Sequence, residues 1–149
     1  MNLLNMTKFH RAIDPALVDN AAAEGRVLDK QDFDNARGVL FVIYTGDLDV
    51  ALSALKVQQS DTETDATTLG GTPEDVIDVS DKPGASDDDE IRLVYVPMGQ
   101  WTERYLQLQA TVGDGTNGAN LSAIAIADRI GESGVNADDL GVAAVEIAN

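Results

Sequence analysis

The chain has 149 residues, of which 44% are hydrophobic and 24% charged, values that suit one globular domain with one core. Its 26 acidic and 10 basic residues give a net charge of −16, which disfavours direct binding to nucleic acid or to an anionic membrane surface. It has no cysteine, which excludes disulfides and thiolate chemistry. The apolar runs are too short to cross a bilayer and no export signal is visible, so we expect a soluble single domain over residues 1–149.

The N-terminal region, residues 1–20, has irregularly spaced hydrophobic residues and is predicted to be an arm. Pro15 follows Asp14 and would suit the first position of a helical turn. A short turn, or an extended arm lying on a neighbour, fits equally well. Arg26 to Asp29 predict a brief strand, and Asp32 to Gly38 predict a polar loop closed by glycine.

Three stretches in the middle of the chain have strand composition, and an acidic loop separates the second from the third. Val39 to Thr45 is apolar on both faces and rich in β-branched and aromatic residues, as in a central strand. Leu52 to Gln59 alternates in its second half and predicts a half-exposed strand. Ser60 to Glu90 is rich in Asp, Thr, Ser, Gly and Pro and predicts an acidic surface loop, with one short strand near Val76 to Val79. Ile91 to Val96 resumes strand composition.

The clearest strand is Tyr105 to Val112, in which apolar residues alternate with Tyr, Gln and Thr. The glycine- and asparagine-rich residues 113–120 permit a chain reversal, and Leu121 to Ala127 is again mostly apolar. We therefore predict an antiparallel hairpin with a long tip. The C-terminal tail, residues 130–149, ends in Val142 to Ile147, which fits a helix-like cap or a final strand.

Six to eight short strands joined by turn-rich loops, without sustained helical periodicity, predict an all-β fold. The expected architecture is an antiparallel β-sandwich of the jelly-roll kind, with long acidic loops and extended termini.

Few residues suggest chemistry. His10 is the single histidine, and we interpret it as a packing or surface residue. Gly113, Gly115 and Gly118 match a G-x-G-x-x-G spacing, but they follow a strand without opening a helix. Asp114 also lies where an anion would approach. We therefore interpret these glycines as the tip of the hairpin.

The carboxylates are the remaining candidates for a site. Asp61, Glu63 and Asp65 alternate like the start of a calcium loop, but the later ligand positions are not filled. The run Asp87 to Glu90 is expected to be solvated. Asp47 and Asp49 flank a turn, where aspartate commonly caps its own backbone. A paired-carboxylate glycosidase receives little support.

Four aromatic residues, Tyr44, Tyr95, Trp101 and Tyr105, would suit a sugar-binding platform, but packing is the preferred interpretation because aromatic residues make up only 5% of the chain. No residue is assigned a catalytic, cofactor-binding or metal-binding role, no cofactor is expected, and an enzyme is the least supported class.

The order of strands and turn residues resembles a family of small structural proteins of tailed phages, similar to capsid decoration or cement proteins. The stretches that carry the resemblance are Val39 to Gly46, Leu55 to Asp61, Arg104 to Leu108 and Leu121 to Ala127, within residues 13–129. The chain departs from the family in its acidic loop, residues 60–90, and in its tail after Arg129.

The resemblance implies a non-enzymatic protein on the exterior of a virion that binds the lattice of the major capsid protein. Self-association through sheet edges or through the terminal arms, residues 1–20 and 142–147, is also expected, without nucleic acid or membrane. Two alternatives remain open. One is a head–tail or tail component of the virion, and the other is a glycan- or calcium-binding module for host attachment.

Overall fold

A computed structural model of the protein describes residues 9–34, 36–128 and 144–147, the last of these for the backbone alone. Within these residues, one 3-10 helix (Lys30–Phe33) accompanies the strands. The strands are β1 (Phe9–Val18), β2 (Val27–Asp29), β3 (Gly38–Leu48), β4 (Leu52–Ser60), β5 (Glu63–Asp65), β6 (Thr68–Leu69), β7 (Glu74–Asp78), β8 (Glu90–Pro97), β9 (Tyr105–Val112), β10 (Ala119–Asp128) and β11 (Ala144–Ile147).

The strands form two main sheets that pack face to face, so the predicted all-β antiparallel sandwich is confirmed. The five-stranded sheet has the order β1-β10-β3-β8-β11, and the four-stranded sheet has the order β2-β9-β4-β7. β5 and β6 form a separate two-stranded ribbon. All neighbours are antiparallel except β11, which runs parallel to β8.

Four pairs of strands are nested along the chain. β1 pairs with β10, β2 with β9, β3 with β8 and β4 with β7. The chain is therefore doubled back on itself around the β4–β7 connection. Val39 to Thr45, predicted as a central strand, lies within β3 between β10 and β8, and this prediction is confirmed.

The predicted hairpin of Tyr105 to Val112 with Leu121 to Ala127 is wrong, although both segments are strands. β9 belongs to the four-stranded sheet and β10 to the five-stranded sheet, so residues 113–118 cross from one sheet to the other. At the end of this crossing, Gly118 has φ +79 and lies against the backbone of Val18, where a side chain would have no room. The glycines predicted to form a hairpin tip form this crossing instead.

The core lies between the inner faces of the two sheets. Phe41 and Ile43 of β3 face Leu106 and Leu108 of β9 across the sandwich, and none of the four is more than 1% exposed. On β10 four of the five buried positions are alanines, including Ala125, and the fifth is Leu121. Small side chains therefore face large ones, which lets the two layers interdigitate.

The predicted N-terminal arm is a sheet strand over much of its length, because residues 9–18 form β1 at the edge of the five-stranded sheet. Pro15 lies at a register shift between Ile13 and Ala16, a strand position that tolerates a missing N–H. The predicted helical turn there is wrong, and residues 1–8 lie outside the described residues. At the other end, residues 144–147 form a strand, while 129–143 and 148–149 lie outside the description.

Two predicted loops contain more structure than expected. Asp32 to Gly38 was predicted as a polar loop, but Phe33 ends the 3-10 helix and is 1% exposed within the core. Residues 60–90 contain β5, β6 and β7, and Leu69 and Val79 are buried. The predicted strand near Val76 to Val79 is confirmed as β7, slightly earlier in the chain. Composition alone missed these anchors because single apolar residues are diluted by polar neighbours.

Candidate functional site

The outer face of the five-stranded sheet is apolar, although it is not part of the core. Because strand side chains alternate between faces, residues paired with outward positions also point outward. Leu40, Val42 and Tyr44 of β3 are half-buried or exposed, whereas the intervening Phe41 and Ile43 are buried. We call the following set the apolar outer face: Phe9, Leu17, Leu40, Val42, Tyr44, Ile91, Leu93, Ile124 and Ile126.

The exposed large hydrophobic side chains of the described residues are all on this face. They are Phe9 (50% exposed), Leu17 (64%), Tyr44 (44%), Ile91 (36%) and Ile124 (43%). Single exposed hydrophobic residues are normal on a soluble protein, but a contiguous set on one face marks an interaction surface.

Charged side chains lie along the rim of the apolar outer face. The guanidinium Nη1 of Arg11 lies 3.2 Å from Oδ1 of Asp14 at its β1 edge. The hydroxyl of Tyr95 donates to Oδ2 of Asp128 at 2.8 Å, and burial together with this carboxylate raises the pKa of Tyr95 to about 12. The hydroxyl of Tyr44 donates to Asp89 at 3.0 Å. The phenols therefore point their polar ends to the rim of this face.

The outer face of the four-stranded sheet is polar instead. Oδ1 of Asp75 accepts from Nε2 of Gln58 at 2.6 Å and lies 3.1 Å from Nζ of Lys56. Gln107 is 3% exposed, and its Nε2 donates to the carbonyls of Gly25 and Thr67 at 3.0 and 2.6 Å. The β5–β6 ribbon covers this part of the face. This explains why Gln107 is buried, although it is one of the polar residues in the alternating pattern of β9.

The acidic run Asp87 to Glu90 is predicted to be solvated, which is true of the exposed Asp88 and Asp89 but not of the half-buried Asp87 and Glu90. Arg92 is 5% exposed, and its guanidinium contacts Asp87 at 3.3 Å and Glu90 at 2.8 Å. Oδ1 of Asp88 accepts from the backbone N–H of Leu48 at 2.8 Å, while Asp89 accepts from Tyr44. The sequence signal that identifies this cluster is a single arginine two residues after the acids, in a strand otherwise apolar.

Asp49 caps the crossing between the two sheets, whereas a cap of its own backbone was predicted. Its carboxylate accepts from the backbone N–H groups of Thr116, Asn117 and Gly118 at 2.9, 2.5 and 2.8 Å. These donors lower the pKa of Asp49. The glycine-rich segment therefore does hold an anion, and that anion is a side chain of the protein itself. Asp47 has no such role among the described contacts.

Asp61, Glu63 and Asp65 have a calcium-like spacing, but their carboxylates do not form a metal-binding cluster. Oδ1 of Asp65 accepts from the N–H and hydroxyl of Thr67, and Oδ1 of Asp61 accepts from the N–H of Arg104 at 3.3 Å. Across residues 9–34 and 36–128, no group of three or more His, Asp or Glu side chains has a metal-binding arrangement.

The aromatic residues do not form one platform. Trp101 is 0% exposed and packs edge-on against Phe33, with ring centroids 5.4 Å apart. His10 stacks on Phe33 with ring centroids 4.5 Å apart, which confirms its interpretation as a packing residue. Tyr44 and Tyr95 lie on the five-stranded sheet, whereas Tyr105 lies on the four-stranded sheet.

A surface depression with a volume of about 470 Å³ lies beside the 3-10 helix. Lys30, Asp61, Glu103 and Arg104 are among its lining residues. Arg104 is already bound to Asp29 at 2.9 Å, and Nζ of Lys30 donates to the carbonyl of Trp101. Its two cations are therefore engaged in holding the fold.

None of the protein-family models, curated proteins or solved structures compared with the chain matches it. Within the described residues, no helix has the length and apolar character needed to span a bilayer.

Proposed function

We propose that this chain is a non-enzymatic structural protein of a phage virion, which decorates and stabilises the capsid by binding the lattice of the major capsid protein. The observation that carries the proposal is the concentration of exposed large hydrophobic residues on one outer face of the sandwich. A surface of this kind serves association with protein, since a ligand site would be concave and enclosed. The capsid, as the particular assembly, rests on the resemblance of the strand and turn pattern.

The nested strand pairing supports a jelly roll as the particular form of the sandwich. A jelly roll is formed by eight strands in two sheets, and the pairs β1–β10, β2–β9, β3–β8 and β4–β7 supply such a set. Viral capsid domains and lectin domains both use this architecture. The fold is therefore compatible with the proposal, but a fold does not determine a function.

The acidic composition also suits a protein on the outside of a capsid. Many copies of a modest interface resist internal pressure together, and a net charge of −16 keeps free subunits soluble and away from packaged DNA. Edge strands such as β1 and β7 present backbone groups that can pair with neighbouring molecules.

The proposal is tested by sedimenting the purified full chain with expanded empty capsids of the phage that encodes it. We expect saturable co-sedimentation and capsids that withstand a higher temperature. Densitometry of intact particles then gives the copy number, since decoration requires hundreds of copies and a head–tail component only a handful. Absence of co-sedimentation at saturating concentration contradicts the proposal.

A further inference from the structure

We propose that the crossing between the two sheets, residues 113–118, is a covalent modification site at which the carboxylates of Asp19 and Asp49 hold back succinimide formation. This reaction converts asparagine into a mixture of aspartate and isoaspartate, and aspartate into isoaspartate. The inference concerns the chemical lifetime of the chain, so it goes beyond the capsid role and does not depend on it. It follows from the sequence of the crossing, the two carboxylates that bind it and the space around its glycines.

The crossing contains the two dipeptides of the chain that are most prone to this reaction. Asn117–Gly118 is the single Asn-Gly pair in the sequence, and Asp114–Gly115 is the single Asp-Gly pair. Glycine favours the reaction because it has no side chain to obstruct the attack of its nitrogen on the preceding side chain. Asn117 and Asp114 are both exposed, so water can reach the imide and hydrolyse it.

The reaction consumes the backbone N–H group of the glycine. The nitrogen of Gly118 bonds to Cγ of Asn117, the bond from Cγ to Nδ2 breaks, and the N–H proton leaves with Nδ2 as ammonia. Water then opens the imide at either of its two carbonyls and leaves aspartate or isoaspartate. At the other site the nitrogen of Gly115 attacks the protonated carboxyl group of Asp114 in the same way, and water leaves in place of ammonia.

In the folded chain each of these two glycine N–H groups is bound to a carboxylate. The N–H of Gly118 donates to Oδ1 of Asp49 at 2.8 Å, and the N–H of Gly115 donates to Oδ1 of Asp19 at 2.9 Å. A hydrogen bond to a charged acceptor is among the stronger hydrogen bonds in proteins, and here it holds the proton that the reaction has to remove. Loss of that proton would also place a second negative charge beside the carboxylate. Each carboxylate should therefore slow succinimide formation at its own glycine.

Asp49 also holds the residue that is attacked. Its Oδ2 accepts from the backbone N–H of Asn117 at 2.5 Å, and the side chain of Asn117 donates a hydrogen bond to the same carboxylate. Closure of the succinimide ring at Asn117–Gly118 therefore has to break contacts of both residues with Asp49.

The fold explains why glycine occupies both positions although it makes the crossing reactive. Gly118 has φ +79, and a Cβ at this position would clash with the backbone carbonyl of Val18. A Cβ on Gly115 would lie 2.5 Å from Oδ1 of Asp49. A larger residue at either position would displace its neighbour. The two carboxylates therefore offset a reactivity that the geometry of the crossing imposes.

Mass spectrometry of the full chain, incubated in mildly alkaline buffer and then digested with trypsin, tests the proposal. Cleavage after Arg104 and Arg129 gives one peptide that contains both sites. Asn120 in the same peptide is the internal reference, because the branched side chain of Leu121 obstructs the attack. We expect the native wild-type chain to deamidate at Asn117 about a hundredfold more slowly than the same chain unfolded in urea.

Two crossed variants separate the effects of the two carboxylates. Asp49→Ala should raise the rate of deamidation at Asn117 by about tenfold, equivalent to about 1.4 kcal/mol of activation free energy, and leave isoaspartate formation at Asp114 within about twofold. Asp19→Ala should do the reverse. Electron-transfer fragmentation of the peptide assigns the isoaspartate to one residue or the other. Asp47→Ala is the matched control for the lost charge, since Asp47 is exposed two residues from Asp49 and should change neither rate.

A milder variant covers the case in which Asp49→Ala does not fold. Asp49→Asn keeps one oxygen acceptor without the charge and should raise the rate at Asn117 by about threefold. The proposal is overturned if the native and urea-unfolded chains deamidate at the same rate, or if neither alanine variant accelerates the reaction at its own site. Equal acceleration of both sites by each variant, or by Asp47→Ala, also overturns it, because the individual N–H groups would then not be what the carboxylates protect.

Discussion

The two sheets of the sandwich share one core but present opposite outer surfaces. The five-stranded sheet exposes isoleucine, leucine, phenylalanine and tyrosine side chains, whereas the four-stranded sheet exposes glutamine, lysine and aspartate. The polar surface is partly covered by the chain itself, because the N–H of Val27 donates to Ala66 beside the β5–β6 ribbon at 2.9 Å. The inward residues of a strand determine its place in the core. The outward residues indicate whether the outer face of the sheet is in contact with water or with another protein surface.

The largest expected effect separates the inner and outer positions of the five-stranded sheet. Ile43→Ala removes a side chain that is 1% exposed in the core and should lower the free energy of unfolding by about 3 kcal/mol. Ile124→Ala removes the same atoms from a side chain that is 43% exposed, so the loss should be about 1 kcal/mol. Urea unfolding of dilute protein measures both losses in the free energy of unfolding. Equal losses would mean that Ile124 is part of the monomer's core.

A smaller effect is expected on the polar outer face. Gln107→Ala removes two hydrogen bonds from a buried amide and should lower the free energy of unfolding by roughly 1–2 kcal/mol. Hydrogen exchange in residues 63–69 should rise, because the bond to Thr67 holds the ribbon. Thr111→Ala, at a half-buried position of the same strand further from the ribbon, is the control and should leave exchange in the ribbon unchanged. If both variants behave alike, the ribbon is held by other contacts.

The smallest effect concerns acid sensitivity of the polar face. The hydrogen bond from Arg104, at 2.9 Å, lowers the pKa of Asp29 below its ordinary value of 3.8. The stability that this carboxylate contributes is therefore present above the pKa of the unfolded chain and is lost as pH falls through the lower folded value. Asp29→Asn keeps an oxygen for the N–H of Gln31 and should flatten the dependence of unfolding free energy on pH below about 4.

Asp78→Asn supplies the control for the lost negative charge. Its side chain is 67% exposed, and its carboxylate lies 3.9 Å from Lys82. Acid titrations of unfolding free energy for the three proteins should show the flattening with Asp29→Asn alone. Equal flattening in both variants would assign the effect to overall charge and not to the bond with Arg104.

Much of the strand content could be predicted from sequence, because β3, β4, β8 and β9 carry strong local patterns. The pairing could not, since β9 and β10 are joined by a segment that satisfies the local requirements of a hairpin as well as those of a crossing between sheets. The partner of each strand is decided by distant segments. Propensity and periodicity, which are local quantities, carry no information on that choice.

The candidate surface was only partly visible in the sequence. The composition of Val39 to Thr45 predicts a central strand that is apolar on both faces, but it does not indicate what covers each face. The alternation of isoleucine with alanine from Ala123 to Ala127 contained the missing signal, since the alanines prove to be the buried set. The role of Arg92 was hidden for another reason. A run of acids has the same composition whether it is solvated or folded around one buried cation.

The nested order of the strands has a consequence for how the polypeptide acquires its shape. β1 leaves the ribosome early, but its partner strand in the five-stranded sheet, β10, is made more than a hundred residues later. Of the four nested pairs, β4 and β7 are the closest along the chain and can join first after synthesis. Such a topology favours nucleation at the midpoint and closure outward toward the two ends, and the large separation between partners makes that closure slow.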